Sequence, residues 1–486
     1  MIAKYQKHIL LISLFKLFIL FLLPLTGDEA YFIKWGNHLS LGYYDHPPMV
    51  GWLIYLMQYI NHSYLTFRFF SFFTVFILSY LIYKILVLLD IPKERAQFSA
   101  IVFLLMPIDV LIILFTNDIP LLLFGTLGTY FLLRSFKYHY LTNAIAAGIF
   151  FGLSFLSKYF IVFLMLGVLL YILQKYKKSA FKNIIIVVLA FSPFVLENLY
   201  FNYTSCWNNI MFNFFARTED LHYNFFSLLN YIGILIYIIS PWGIYYLFKS
   251  KTYTNPHLKK FIFTIMSIGL LVFLIVSLKK SIGLHWLLLF TPYLFMLFSF
   301  IDSKYYDVLM KKNLLFTYMH IGILILILML PHSLLEKHKH YKEILLFTNS
   351  SQICHNIQAY QNLYTTNYTS ASILSYHCSK DIKMILNNSK YGRMDDTLVN
   401  IKELENKDVN IFYTSASKLK NIQKVFQEVQ VEEFEVLNQK YYVAKCKNLN
   451  FTTYKKNYLD IQKEKFYTIP SFLPKGKCYF CERYYP

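Results

Sequence analysis

Charged side chains are scarce in this chain, 15% of its 486 residues against 56% hydrophobic ones, and its mean hydropathy is +0.42. That balance excludes an ordinary soluble globular protein. Acids are the scarcer sign, 27 against 47 lysines and arginines, which leaves a net charge of +20. Such a surplus can mark nucleic-acid binding. Here the basic residues of the first 331 positions fall in short clusters between apolar runs, so they read as membrane topology, and no nucleic-acid partner is expected. Internal repeats and low-complexity segments are absent. So is a small-x-small cleavage site around Pro24-Leu25-Thr26-Gly27-Asp28, and the segment from Met1 to Leu25 therefore reads as a retained first helix. Lys16 inside it reads as a snorkelling or bundle-facing lysine. Phe (47) and Tyr (42) are abundant, which suits lipid-facing helices with aromatic belts.

Apolar runs of membrane-crossing character lie near 9–26, 69–88, 97–115, 119–134, 142–157, 160–174, 184–199, 227–247, 261–278, 286–301 and 314–331. These predict eleven spans. Residues 47–62 are interrupted and begin with two prolines, so they read as a helix lying along the interface. With the N-terminus cytoplasmic, the inner segments carry eighteen lysines and arginines and the outer ones six. That positive-inside bias predicts a multi-pass protein of the bacterial inner membrane with its tail on the periplasmic side. Cys206, Cys354, Cys378, Cys446, Cys478 and Cys481 all fall in segments placed outside, which fits an oxidising compartment. Spacing does not decide their pairing. Cys478-x-x-Cys481 fits a local disulfide, a redox pair or half of a metal site, with a structural role favoured.

From about residue 333 the apolar runs shorten. Val409 to Tyr413 and Tyr441 to Ala444 read as buried strands, and Ser417 to Val429 as an amphipathic helix. The fold class is thus mostly α: a polytopic membrane domain over 1–332, with a first outer loop at 27–68, then a small soluble α/β domain over 333–486.

Every outer loop carries acids, bases or both. The first holds Asp28, Glu29, Asp45 and His46, and Arg68 enters the second span. Later loops supply Thr116-Asn117-Asp118, then Ser157-Lys158-Tyr159, then Asn198, Trp207, Arg217, Glu219, Asp220 and His222, and finally Lys279, Lys280, His285 and Trp286. Ionisable groups at a membrane boundary are expensive to desolvate and mark sites. Cations can neutralise a departing phosphate while a carboxylate takes a proton from an incoming hydroxyl. Structural alternatives stand beside each reading. Asp28 and Glu29 could cap an interfacial helix, Asp45-His46-Pro47-Pro48 could form a rigid turn, Asp118 could start the next helix, and Lys158 could snorkel. Arg217, Glu219 and His222 read as solvated loop residues.

Asp28-Glu29-Ala30-Tyr31-Phe32, the Gly42 to Pro48 turn and Phe67-Arg68 resemble the bacterial branch of the protein O-mannosyltransferase superfamily. Thr116 to Pro120, Leu156-Ser157-Lys158-Tyr159 and the segment from Lys280 to Trp286 continue the resemblance in order. Tyr364 to Ser372 and Tyr391-Gly392-Arg393 extend it more weakly into the tail. The resemblance implies a GT-C fold and a metal-independent, inverting transfer of one sugar from a polyprenyl-phosphate donor to an acceptor on the outer face. That acceptor is lipid A, another envelope glycan or a protein, and membrane lipids are the remaining partner class. It also carries functional roles over to Asp28, Glu29 and Asp118 as catalytic residues and to Lys158; the charges of the loops add Arg68, Lys279, Lys280 and His285 to Lys158 toward the donor phosphate. Asp45 and His46 complete the first-loop site. Where the lipid A aminoarabinose enzymes have Glu-Lys-Pro, this chain has Asp45-His46-Pro47, which leaves the sugar open. The competing readings are a transporter or flippase for lipid-linked sugars, which calls for repeated halves and mid-membrane charges, and an oligosaccharyltransferase or glycan ligase, whose Trp-Trp-Asp segment is absent.

Overall fold

The computed structural model describes residues 1–216, 223–389, 393–405 and 407–486. Two compact units divide the chain, and neither is continuous in sequence. One holds Met1–Leu23, Ile60–Glu197 and Asp220–Met329; the other holds Pro24–Tyr59, Asn198–Glu219 and Leu330–Pro486.

The first unit is helical. Six described helices are long and apolar enough to cross a bilayer: Ile2–Leu22, Tyr64–Leu88, Asp118–Tyr138, Ile161–Thr204, Pro256–Ser277 and Ser303–Leu328. The bent pair Phe225–Ile239 and Pro241–Lys249 makes a seventh if counted as one. The chain is a multi-pass membrane protein. Six or seven is fewer than the eleven expected, and the reason is backbone chemistry that hydropathy does not register. The run at 97–115 breaks before Pro107, the run at 227–247 bends by 74° at Ser240-Pro241, and Pro292 interrupts Leu284–Phe300. Proline lacks the N–H that a helix interior needs. The run at 142–157 forms a helix of 15 residues, Leu141–Phe155, which is short for a crossing. Ile161–Thr204 covers two expected spans, separated at Lys177, where φ is 50°.

Lys16 faces the bundle and does not snorkel. Its Nζ lies 2.5 Å from Asp109 Oδ2, with both side chains at most 1% exposed. A buried charge needs such a partner.

The second unit contains a five-stranded sheet of β1 (Leu363–Thr365), β2 (Lys383–Met384), β3 (Val409–Tyr413), β4 (Phe426–Val436) and β5 (Gln439–Leu449). Its order is β2-β1-β3-β5-β4, parallel on the β1 side and antiparallel from β3 through β5 to β4. The strands expected at 409–413 and 441–444 are there. The helix expected over Ser417 to Val429 is only Leu419–Gln423, because Phe426 onward pairs with β5 from Phe426↔Leu449 to Val436↔Gln439. Pairing with a neighbouring strand overrides the local amphipathic pattern. Tyr44 of the first outer loop and Phe212 are buried in the same core as Ile411, Val425 and Ala444 of the tail. First loop and tail therefore share one core.

All six cysteines lie in this unit. Cys206 is bonded to Cys478 and Cys354 to Cys378, while Cys446 and Cys481 are free. Burial pushes the Cys446 thiol up to about 12. Thiol titration of the denatured, unreduced chain is expected to find Cys446 and Cys481 only, with the other four appearing after reduction. Any other count before reduction refutes this pairing.

Candidate active site

In the second unit, the helix Gly27–Asn37 starts because Thr26-x-x-Glu29 is a capping box. Glu29 Oε2 accepts hydrogen bonds from Thr26 N at 3.2 Å and Thr26 Oγ1 at 2.9 Å, and Glu29 N donates to Thr26 Oγ1 at 3.4 Å. Glu29 is buried, whereas its neighbour Asp28 stays exposed. The two acids have different surroundings although they are adjacent in sequence. At Gly27 a Cβ would meet Thr369 Cγ2 at 2.8 Å, so a glycine lets this helix end approach the helix Tyr368–Cys378. There Tyr368 Oη donates to Asp28 Oδ1 at 3.2 Å, and its ring meets Tyr31 edge-on at 5.5 Å.

The carboxyl of Asp28 reaches the surface, yet the protein packed around it raises its pKa above the usual carboxylate range. The charge of Glu29 pushes the same way, and the Tyr368 hydrogen bond opposes both. Six residues further along the helix, Lys34 Nζ donates to Asp395 Oδ1 at 2.9 Å and to the Ile382 carbonyl at 3.1 Å. Both side chains of that pair are 3% exposed.

Asp45 and His46 sit in a turn closed by Tyr43 N on the His46 carbonyl at 2.9 Å. Asn209 and Asn213 donate to the carbonyls of Tyr43 and Asp45 at 2.7 and 3.2 Å. His46 Nε2 lies 4.0 Å from Asp45 Oδ2, and both side chains keep partial exposure. These bonds hold the turn, and Asp45 Oδ1 is buried within it.

In the first unit, Asp118 opens the helix Asp118–Tyr138 and pairs with Lys158, Nζ to Oδ1 at 2.8 Å, with both side chains buried. Lys158 is thus anchored by a carboxylate and does not snorkel. Beside Asp118 the Asn117 side chain is 2% exposed, and neither its nitrogen nor its oxygen has a hydrogen-bond partner. Lys158 also lies over the Phe160 ring at 5.1 Å, and Phe160 packs on Trp286 at 5.0 Å. The segments that carry Asp118, Lys158 and Trp286 therefore converge. The backbone N–H groups of Lys279 and Lys280 both donate to the Val276 carbonyl just past the Pro256–Ser277 helix, and His285 lies in the short helix Leu284–Leu287 beside Trp286. Arg68 is fully buried and donates to the carbonyls of Leu20 and Leu23, satisfying the C-terminal end of the first helix.

The predicted residues thus fall into two groups. Asp28, Glu29, Asp45 and His46 lie in the second unit, and Arg68, Asp118, Lys158, Lys279, Lys280 and His285 in the first. Arg217, Glu219, Asp220, His222, Tyr391 and Gly392 lie outside the described residues. The sequence reading placed Tyr368 in the Tyr364 to Ser372 segment without giving it a role, and it missed the Lys34–Asp395 pair. Lys34 did carry a signal, as one of only six basic residues assigned to the outer side. Among the described residues no cluster of three or more His, Cys, Asp or Glu could hold a metal ion.

Residues 45–197 match the dolichyl-phosphate-mannose-protein mannosyltransferase family, a segment that includes Asp45, His46, Arg68, Asp118 and Lys158. A lipid A galacturonosyltransferase, RgtD, of Rhizobium johnstonii is 27% identical over 180 residues, covering 36% of this chain and 38% of that protein. The match therefore spans well under half of the curated relative. Among solved structures, ArnT from Cupriavidus metallidurans bound to undecaprenyl phosphate aligns with a TM-score of 0.62 at 11% identity, over 91% of this chain and 97% of that one. Its apo form aligns with a TM-score of 0.61 at 12% identity, over 92% and 98%. The chain thus has the fold of ArnT over nine-tenths of its length, and its residues 45–197 are similar to the dolichyl-phosphate-mannose-protein mannosyltransferases.

Proposed function

We propose that this chain is a glycosyltransferase that moves one sugar from a polyprenyl-phosphate carrier to lipid A or a similar envelope acceptor, with inversion at the anomeric carbon. The observation that carries this reading is the asymmetry of the first-loop acids. Glu29 is bound into its capping box, while Asp28 is exposed, oriented by Tyr368 and raised toward neutrality. A base works best with a pKa shifted toward the working pH. Asp28 takes the proton of the acceptor hydroxyl as that oxygen attacks the anomeric carbon. The bond from that carbon to the phosphate oxygen breaks, and the carrier leaves as polyprenyl phosphate.

Positive charge on side chains stabilises such a leaving group, and the reaction as written calls for no metal. In the membrane unit Lys158, held in place by Asp118, is the cation we assign to the carrier phosphate, with Lys279, Lys280 and His285 in support. Arg68 acts through the first helix, whose last carbonyls it holds. The relative's action on lipid A and the undecaprenyl phosphate bound by ArnT support the acceptor and donor classes. Eleven passes result if Ile161–Thr204 counts as two crossings and Lys93–Leu104 with Pro107–Leu111, Leu141–Phe155, the bent pair and Leu284–Phe300 count as one each. With the N-terminus cytoplasmic, the second unit's tail then faces the periplasm of the inner membrane, where an oxidising compartment suits its two disulfides.

Mass spectrometry of envelope glycolipids and glycoproteins from cells with and without this chain tests the reading. Loss of one hexose, pentose or uronic acid from a defined acceptor is expected, and an unchanged envelope refutes transfer.

Tyr368→Phe probes the base directly. Removing the hydrogen bond that lowers the Asp28 pKa leaves burial and Glu29 unopposed, so that pKa rises. A base must be deprotonated to act, so the acid limb of the transfer-rate profile is expected to move to higher pH. A limb that stays put, or moves down, separates Tyr368 from the chemistry.

A further inference from the structure

The second unit contains a pocket of about 340 Å³ that neither Asp28, Glu29, Asp45 nor His46 lines. Its wall comes from four stretches distant in sequence, represented by Tyr43 and Tyr44, by Phe201 and Asn208, by Arg393, and by Tyr479. The volume is that of a small-molecule site.

Its electrostatics disfavour an anion. Arg393 is fully buried, with Nη1 2.7 Å from Asp396 Oδ2 and with Nε and Nη2 donating to the carbonyls of Ser389 and Asn387. At the rim, His38 is paired with Asp381 at 3.5 Å. Each charged residue described in the wall thus already has a partner.

What the wall offers instead is rings and neutral polar atoms. Tyr43 is held flat against Trp35, centroids 4.2 Å apart and planes 6° from parallel. At Gly42 a Cβ would meet Phe201 Cδ1 at 2.4 Å, so the glycine lets the main chain lie against that ring. Tyr44 Oη and Asn208 Oδ1, on residues 2% and 3% exposed, have no hydrogen-bond partner, although the Asn208 side chain is engaged by Tyr479. One is a donor and the other an acceptor. Leaving either unsatisfied in a wall is costly. A sugar hydroxyl both donates and accepts, and the C–H face of a sugar ring packs on aromatic rings.

We propose that this pocket is a carbohydrate subsite that takes one neutral sugar ring. Its assignment to the acceptor glycan rests on the transferase reading; the binding itself does not.

Saturation-transfer NMR on the full-length protein in detergent tests it, with methyl α-D-mannopyranoside, methyl α-D-galactopyranoside and galacturonic acid as probes. A neutral glycoside is expected to bind, and the uronic acid more weakly. Thr397→Trp, at an exposed lining position, and Asn208→Leu are each expected to weaken binding at least tenfold, while Asp28→Asn leaves it unchanged. The proposal is overturned if no neutral glycoside binds or if the uronic acid binds more tightly. It is equally overturned if Asp28→Asn removes binding that Thr397→Trp retains, since the sugar then sits at the transfer site. The transferase reading fails separately, on the activity of Asp28→Asn.

Discussion

Asp28→Asn is expected to abolish sugar transfer, lowering the rate by roughly 10²–10⁴-fold, the usual contribution of a positioned general base. Asparagine keeps the size of the side chain and can still accept from Tyr368, whose Oη lies 3.2 Å from Asp28 Oδ1. What it removes is the ability to take a proton. Because Asp28 is exposed and makes no capping bond, the fold should be retained. Glu29→Gln is the informative partner. Its carboxylate closes the capping box, and a glutamine can still accept from Thr26, so transfer is expected within a few-fold of wild type. Membrane vesicles supplied with a radiolabelled lipid-linked sugar read both variants. Wild-type transfer by Asp28→Asn would remove the base assigned here, and a dead Glu29→Gln with an active Asp28→Asn would move it next door.

Lys34→Met is expected to destabilise the second unit by about 3–5 kcal/mol, the cost of leaving one member of a buried ion pair behind. Asp395 is 3% exposed and accepts from both Lys34 Nζ and Met384 N at 2.9 Å. Without the lysine its charge stays buried with one backbone N–H to hold it. Replacing both partners, as in Lys34→Met with Asp395→Leu, removes the stranded charge and is expected to recover much of the loss, although the Met384 amide then goes unpaired. Thermal unfolding of the purified protein, followed through its tyrosine and tryptophan signal, measures the series. A single substitution costing less than about 1 kcal/mol, a value typical of an exposed pair, would show that this pair is open to solvent. The pair also fixes the helix that carries Asp28, so Lys34→Met should lower transfer in proportion to the folded fraction and leave its pH dependence unchanged.

Much of the fold is legible in local pattern. The apolar runs fall on helices because a backbone in lipid must satisfy its own hydrogen bonds. Val409 to Tyr413 and Tyr441 to Ala444 form strands because their neighbours can pair with them along the full run. The misreadings share one cause. Hydropathy does not register Pro107, Pro241 or Pro292, and helical amphipathicity over Ser417 to Val429 carries no information that β5 waits opposite Phe426. The candidate site follows the same division. Asp28, Glu29, Asp118 and Lys158 stand out in sequence because charge is expensive at a membrane boundary. Their roles do not stand out.

Local pattern suffices to show that this is a membrane protein, that ionisable residues gather in the loops between its apolar runs, and that Val409 to Tyr413 is a strand. Each of these depends on residues near one another along the chain. Tertiary structure alone decided that Cys206 pairs with Cys478, that Lys34 meets Asp395, and that Tyr368 reaches Asp28. Those partners are 272, 361 and 340 residues apart. Over such separations no periodicity selects a partner. It is chosen when packing brings a buried polar group to the one neighbour able to satisfy it.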